Sequence, residues 1–257
     1  MNSILRVHGM SRNPDTKDYI MVHQYAEGGS LNDMINKNHE NIGWRKRMEI
    51  LECTIEEIHK RQMVHRDLHP GNILLANGSI DNDSKFSVIT YISDMGLCGR
   101  LGNVNETNIY GCLPYIAPEV LRGKPYTQAA DIYSFGMIMY FVATGRQPFD
   151  GLKHDERLAL DICRGIRPEI NELEAPKYYI ELMKRCWDSN PDDRPKNATE
   201  VDIMNWSFNN FECEEEYRQT NISSIKNEQS IIRTQVYTND LPKYINSNSE
   251  CYDCVIP

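Results

Sequence analysis

The stretch from Ile132 to Ala143 constrains the fold more than any other segment, because it is apolar on every face of the helix that it would form. Its longest uninterrupted apolar run, from Met137 to Ala143, is too short to span a bilayer. Gly145 follows and can adopt the left-handed conformation that commonly ends a helix. A helix that is apolar all round has to be covered by other elements. The sequence therefore predicts a buried helix at the centre of a helical domain.

Weaker patterns flank this central stretch. Apolar residues recur at spacings of three and four between Met48 and Ile58, which predicts an amphipathic helix over about residues 44–61. The same reasoning predicts further helices over residues 156–164 and 178–187, and strands over residues 19–23, 73–76 and 86–92. We therefore expect an α+β domain that is mostly helical, with a few short strands.

Composition narrows the possible partners and the location. The net charge of −9 is spread along the chain, which offers no broad cationic field, so neither nucleic acid nor a membrane is expected as a partner. The eight cysteines lack the dense, regular spacing of a secreted disulfide scaffold, and the first ten residues do not resemble a signal peptide. Reduced thiols and a cytoplasmic location are the expectation.

A polar segment with the sequence HRDLHPGN runs from His65 to Asn72 and precedes a predicted strand. Phosphoryl transfer needs a carboxylate that orients an acceptor hydroxyl and takes its proton, and a separate oxygen ligand for magnesium. The segment resembles the H-R-D-x-x-x-x-N catalytic loop of protein kinases. The resemblance implies that Asp67 is the catalytic base and that Asn72 is a magnesium ligand. A polar loop that precedes a strand by chance is the alternative.

Four further motifs follow in the order in which this family has them. The sequence DMG at residues 94–96 stands where protein kinases have D-F-G, and the resemblance implies that Asp94 binds the magnesium that bridges the ATP phosphates. The others are APE at residues 117–119, DIYSFG at residues 131–136 and RP at residues 194–195. Five motifs in the right order leave little room for chance.

The last three motifs have structural roles in the family. The resemblance implies that Glu119 pairs with Arg194 across the lobe, and that Asp131 ties the catalytic loop to the central helix. A buried pair of this kind is costly to break from one side.

The segment from Tyr19 to Leu31 is similar to the last strand of the family's small lobe, running into the hinge that binds ATP. The resemblance implies that backbone groups of Gln24 and Ala26 hydrogen-bond to adenine, with Leu74 packed below the ring. His23 falls at the residue that guards the back of this pocket. An exposed strand histidine and a tuned role in the pocket are both open for it.

The segment between Gly96 and Ala117 is the one in which protein kinases are commonly phosphorylated. Thr107 and Tyr110 are its hydroxyl candidates, and Arg66 is the arginine that would receive the phosphate. Regulation by phosphorylation is one expectation, and an unmodified surface loop is the other.

The resemblance covers about residues 4–206 and divides the chain into three parts. We expect a remnant of the small β lobe and the hinge at residues 1–27, a protein kinase C-terminal lobe at residues 28–206, and a flexible polar tail at residues 207–257. The match begins near the fourth strand of the small lobe. No two glycines are spaced i, i+2, so the chain has no glycine-rich phosphate loop, and no lysine is a candidate for pairing the α and β phosphates.

Two residues within the match depart from the family pattern. His69 stands where serine/threonine kinases usually have a lysine, and Cys112 replaces a common threonine near the acceptor. The residues that tyrosine kinases carry in this loop are absent as well. The expected reaction is transfer from ATP and magnesium to Ser or Thr of a protein substrate, with Tyr not excluded.

Two classes of function compete. The intact base and metal ligands favour a protein kinase, although we expect the chain as given to be impaired by the loss of the glycine-rich loop and the lysine strand. The alternative is a pseudokinase or scaffold that binds protein partners without catalysis. A truncated gene product would reconcile the two. Apolar small-lobe surface around Ile4, Leu5 and Val22 is expected to be exposed, or covered by a partner.

Overall fold

The structure is a computed structural model, and it describes residues 5–52, 54, 63–80, 86–94, 98–100 and 109–196. The helices are α1 (Leu31–Asn38), α2 (Trp44–Glu52), α3 (Pro118–Leu121), α4 (Gln128–Thr144), α5 (Glu156–Cys163) and α6 (Lys177–Cys186). The strands are β1 (Val7–Arg12), β2 (Tyr19–His23), β3 (Met63–Val64), β4 (Ile73–Ile80), β5 (Phe86–Ile92) and β6 (Gly99–Arg100). Within these residues no helix is both long and apolar enough to cross a membrane.

The predicted central helix is confirmed as α4. Every residue from Ala130 to Thr144 is buried, as an all-round apolar sequence requires. Gly145 ends the helix with φ of 69°, and its N–H donates to the Phe141 carbonyl over 2.8 Å. The helix is therefore the axis around which the other elements pack.

Aromatic residues connect helices α2 and α6 to the central helix α4. The Tyr179 hydroxyl of α6 donates to the Met139 carbonyl over 2.7 Å, which fixes α6 against the central helix. Trp44 at the start of α2 meets the Tyr179 ring edge-on, with 5.0 Å between ring centroids. These contacts hold α2 and α6 against the core.

The described strands form three two-stranded antiparallel sheets, in which β1 pairs with β2, β3 with β6 and β4 with β5. The β1–β2 hairpin turns at residues 13–18, where Lys17 has φ of 66°. Both strands are exposed along their whole length. By contrast, β4 begins in the core, because Ile73 and Leu75 are buried.

Most helices and strands predicted from the sequence lie close to the observed bounds. Strands β2 and β5 match the prediction at both ends, β4 is longer than predicted, and β1 was not predicted. The helix predicted over residues 44–61 is confirmed over Trp44–Glu52, and residues 53 and 55–62 lie outside the described residues. The tail at residues 207–257 also lies outside them.

Candidate active site

The central helix α4 holds the loop at residues 65–72 in place through Asp131. Asp131, in the first turn of α4, is buried and accepts two backbone hydrogen bonds from this loop. The His65 N–H donates to its Oδ2 over 2.8 Å, and the Arg66 N–H donates to its Oδ1 over 3.1 Å. Arg66 has φ of 75°, so the chain turns sharply immediately before Asp67. A buried carboxylate thus fixes the backbone that presents Asp67.

Asp67 and Asn72 lie in contact across the loop. The Asn72 side-chain nitrogen donates to the Asp67 carbonyl over 2.9 Å and to Asp67 Oδ2 over 3.3 Å. Both side chains are largely buried. Because the amide nitrogen faces Asp67, the amide oxygen of Asn72 points away from it. This oxygen is a hard donor of the kind that magnesium prefers.

Asp94 is the second residue after β5, and its neighbour Ser93 is bonded to Asn72. The Ser93 N–H and hydroxyl both donate to the Asn72 carbonyl, over 2.9 and 3.1 Å. Asp94 itself is exposed and has φ of 54°. Met95 and Gly96, the rest of the predicted motif, lie outside the described residues.

His65 links the backbone of Asp67 to the backbone of Ser93. Its Nδ1 accepts from the Asp67 N–H over 3.3 Å, so the neutral ring carries its proton on Nε2. That nitrogen lies 3.0 Å from the Ser93 carbonyl, to which it donates. One imidazole therefore joins the backbone of Asp67 to the residue before Asp94.

The segment that carries Tyr110 approaches Asp67 from the other side. Gly111 has φ of 109°, and a Cβ at this position would come within 3.2 Å of Asp67 Oδ1, so a side chain here would strain the backbone and crowd the carboxylate. The Tyr126 hydroxyl accepts from the Tyr110 N–H over 3.1 Å and donates to the Tyr110 carbonyl. Burial raises the pKa of Tyr126 to about 12, which keeps that hydroxyl protonated. Thr107 lies outside the described residues.

Behind this segment, Glu119 and Arg194 form a buried ion pair. Both Arg194 terminal nitrogens donate to the Glu119 carboxylate over 2.7 Å, and Arg194 also donates to the carbonyls of Ala129 and Asp188. The Ser134 hydroxyl donates to the Tyr115 carbonyl over 2.7 Å. These contacts fasten the segment to α4.

The predicted hinge residues lie beside β4. The Gln24 N–H donates to the Arg6 carbonyl over 2.7 Å, and the Ala26 carbonyl accepts from the Gly29 N–H over 3.2 Å. Leu74, which is half-buried, forms an antiparallel bridge with Ser30 at the start of α1. The Gly28 N–H donates to the Leu75 carbonyl over 2.8 Å, so the end of the predicted hinge lies beside β4. His23 is exposed at the end of β2.

A family model for the protein kinase domain matches residues 1–207. The chain belongs to the protein kinase family. The match covers the loop at residues 65–72, Asp94 and the Glu119–Arg194 pair, and the mixed helical and β architecture around α4 is a protein kinase-like fold.

Curated protein kinases resemble the chain over most of its length. It is 31% identical over 191 residues to "Probable serine/threonine-protein kinase gdt4" of Dictyostelium discoideum, and 30% identical over 216 residues to mitogen-activated protein kinase kinase kinase 7 of Homo sapiens. These matches cover 72% and 79% of this chain, but only 12% and 32% of the two relatives. Cyclic GMP-binding protein C of Dictyostelium discoideum is 28% identical over 79% of the chain and 8% of its own length. The chain thus spans at most about a third of these relatives.

The sequence analysis assigned no role to several residues of this candidate site. His65 and Ser93 join Asp67 to Asn72 and Asp94, and Tyr126 holds the backbone of Tyr110. His65 lies inside the H-R-D motif, so the sequence could have identified it. The tautomer of its ring, however, depends on the N–H of Asp67, two residues along the chain. Ser93 and Tyr126 carry no signal in the sequence beyond their distance from a motif.

Proposed function

We propose that this protein kinase transfers the γ-phosphate of ATP to a hydroxyl group of a protein substrate. The observation that carries the proposal is the contact between Asp67 and Asn72, in a loop whose backbone is fixed by the buried carboxylate of Asp131. Catalysis of phosphoryl transfer consists mostly of positioning and charge stabilisation. A base held this rigidly suits that task.

In the proposed reaction Asp67 accepts the proton of the substrate hydroxyl. The hydroxyl oxygen forms a bond to the γ-phosphorus while the bond between that phosphorus and the β-phosphate oxygen breaks, and ADP leaves. Asp67 faces the Gly111 backbone on one side and Asn72 on the other. We propose that the acceptor approaches along the segment that contains Gly111.

Asn72 and Asp94 are the proposed magnesium ligands. The donor set fits magnesium, because it consists of an amide oxygen turned away from Asp67 and an exposed carboxylate on the residue after Ser93. Magnesium typically takes one or two protein ligands of this kind and completes its shell with phosphate oxygens and water. Bound there, it would neutralise charge on the ATP phosphates.

The hinge supplies the proposed adenine site. The Gln24 N–H and the Ala26 carbonyl already have partners within the protein, so we propose that the Gln24 carbonyl and the Ala26 N–H bind the base. Leu74 of β4 would pack against one face of the ring. The proposed hinge lies at the end of the small-lobe part, residues 1–27, and connects it to the C-terminal lobe, residues 28–206.

The proposed acceptor is serine or threonine, with tyrosine as the alternative outcome of an assay. The similarity to gdt4, which is named a serine/threonine kinase, supports this choice. Phosphorylation of Thr107 or Tyr110, with Arg66 as the receiving cation, is proposed as a form of regulation. Phosphate-transfer assays on a mixed library of Ser, Thr and Tyr peptides would identify the acceptor.

The direct test is Asp67→Asn, which removes the proton acceptor and changes almost no volume. Transfer from labelled ATP to peptide should fall by about 10²- to 10⁴-fold, while the thermal unfolding midpoint stays close to that of the unaltered chain. In a separate variant, Asp94→Ala, any phosphate transfer that remains should no longer depend on the magnesium concentration. Undiminished transfer by the Asp67 variant would exclude it as the base.

We further propose that these 257 residues alone transfer phosphate slowly. They contain no glycines spaced i, i+2 and no candidate for the phosphate-pairing lysine, so ATP would be held from one side. Loss of one preorganised donor typically costs about 3 kcal/mol, roughly a hundredfold in rate. The exposed apolar hairpin β1–β2 favours a second candidate function, binding a protein partner without catalysis. Robust transfer by the 257-residue chain, lost in Asp94→Ala, would exclude both the slow rate and the scaffold.

A further inference from the structure

Two contacts fix the ring of His69, the residue that departs from the family pattern in this loop. The Gly71 N–H donates to His69 Nδ1 over 3.1 Å. A Cβ on Gly71 would lie 2.7 Å from His69 Cε1, closer than carbon atoms approach each other, so the ring packs directly on the glycine. Residue 71 has to lack a side chain for the His69 ring to occupy this position.

The hydrogen bond from Gly71 determines the tautomer of His69. An imidazole nitrogen that accepts a hydrogen bond carries no proton, so the neutral ring has its proton on Nε2. This nitrogen faces Asp67 Oδ2 at 3.8 Å. Asn72 Nδ2 donates to the same oxygen over 3.3 Å. One oxygen of the Asp67 carboxylate thus faces two N–H groups from two different residues.

The other carboxylate oxygen has a different environment. A Cβ at Gly111 would come within 3.2 Å of Asp67 Oδ1, so this oxygen faces the backbone of the segment along which the acceptor is proposed to approach. The two oxygens are therefore distinguished by their neighbours. Asn72 Nδ2 and His69 Nε2 lie 3.3 and 3.8 Å from Oδ2, whereas the Gly111 backbone lies beside Oδ1.

We propose that His69 is a positioning residue for Asp67. From 3.8 Å, beyond hydrogen-bond distance, its Nε2 side attracts Oδ2 and so favours the orientation that leaves Oδ1 to take the acceptor proton, and Gly71 contributes by keeping the ring in place. This inference rests on the proposed function of Asp67 as the base. Because the ring acts through Asp67 rather than on a substrate, its loss lowers kcat and leaves KM for ATP and for peptide unchanged.

Nitrogen NMR of the histidine side chains tests the tautomer in the purified 257-residue chain without any assay of activity. The His69 signals are those that disappear in His69→Ala, and the exposed His154→Ala serves as the control that removes a different set. The expected result is an unprotonated Nδ1, a protonated Nε2, and a shift of the Nε2 signal in Asp67→Asn. A proton on Nδ1, or an Nε2 signal that does not respond to Asp67→Asn, would overturn the proposal.

A double-mutant cycle tests the positioning role, with long incubations so that slow rates can be measured. His69→Ala and Gly71→Ala should each lower kcat about tenfold to hundredfold at unchanged KM. His69→Gln, which retains an N–H donor near the position of Nε2, should recover most of the rate. Gly71→Ala should have no further effect in the His69→Ala background, because no ring remains to be displaced.

Two kinetic outcomes would contradict the proposal. If Gly71→Ala lowers kcat by the same factor in both backgrounds, then Gly71 does not act through His69. If His69→Ala raises KM at constant kcat, then His69 binds a substrate instead. Should Asp67→Asn transfer phosphate as fast as the unaltered chain, the proposed function fails by itself, and the NMR result then decides the placement of His69.

Discussion

A buried ion pair between two single residues holds the segment around Glu119 to the core. The Glu119–Arg194 pair is almost entirely removed from solvent, with 4% and 2% of each residue exposed. Two ions in such a place have lost most of their hydration, so each depends on the other and on the backbone carbonyls that Arg194 also reaches. Removing one partner leaves the other buried without its counter-ion.

Glu119→Gln should therefore lower the free energy of unfolding by about 3 kcal/mol, because the Arg194 charge stays buried. The matched control is Asp161→Asn, which breaks a solvent-exposed pair with Arg164 at 3.5 Å and should cost less than about 1 kcal/mol. Urea denaturation of both variants gives the comparison. Equal effects would mean that the buried pair contributes no more than an exposed one.

Single residues were predictable where a motif fixes their identity. Asp67, Asn72 and Asp131 could be chosen because their spacing and order belong to one family, and the structure brings Asp67 into contact with Asn72 and Asp131 against their loop. The tautomers of His65 and His69 could not be predicted. They depend on which backbone N–H groups point at a ring, and this follows from φ and ψ angles that a sequence does not state.

At the scale of elements, the end of α4 shows how one residue closes a helix. Gly145 has φ of 69°, and a Cβ there would lie 2.8 Å from Cγ of His39, the residue that follows α1. Glycine is thus required twice, once by the backbone angle and once by the close approach of another element.

Gly145→Ala should destabilise the protein by more than the backbone angle alone accounts for. The control is Gly123→Ala, because Gly123 has φ of 80° but meets no heavy atom within 4 Å of an added Cβ. The control should cost roughly 1–2 kcal/mol, the penalty of a left-handed L-residue. The Gly145 variant should lose more, since the His39 ring has to move. Thermal unfolding of the two variants under the same conditions measures the difference.

Elements with strong periodicity or a run of β-branched residues were predicted within a few residues, as α4, α5, α6, β2 and β5 show. Strand β1 was missed because its sequence, VHGMSR, mixes a glycine with polar residues and shows no alternation. It is a strand because β2 pairs with it, from Val7 opposite His23 to Arg12 opposite Tyr19. A contact between segments, rather than a local preference, defines this element.

The whole molecule has an uneven distribution of apolar surface. The core lies around α4, whereas the β1–β2 hairpin exposes large apolar residues on both faces. They are Val7, Met10, Tyr19, Ile20, Met21 and Val22. The expected exposure of Val22 is confirmed, Leu5 is half-buried, and Ile4 lies outside the described residues. Exposed apolar side chains in this number favour association.

We predict that the 257-residue chain self-associates through this hairpin as its concentration rises. Met21→Glu places a charge in the centre of the hairpin, on the face that it shares with its cross-strand partner Met10, and should shift the chain towards monomer. Leu152→Glu is a matched control, because Leu152 is 55% exposed and Met21 is 56% exposed, and both variants add one negative charge. Light scattering behind a sizing column gives the mass of each. Equal association of the unaltered chain and both variants would contradict the prediction, whereas a monomeric Leu152 variant would assign the effect to net charge rather than to the hairpin.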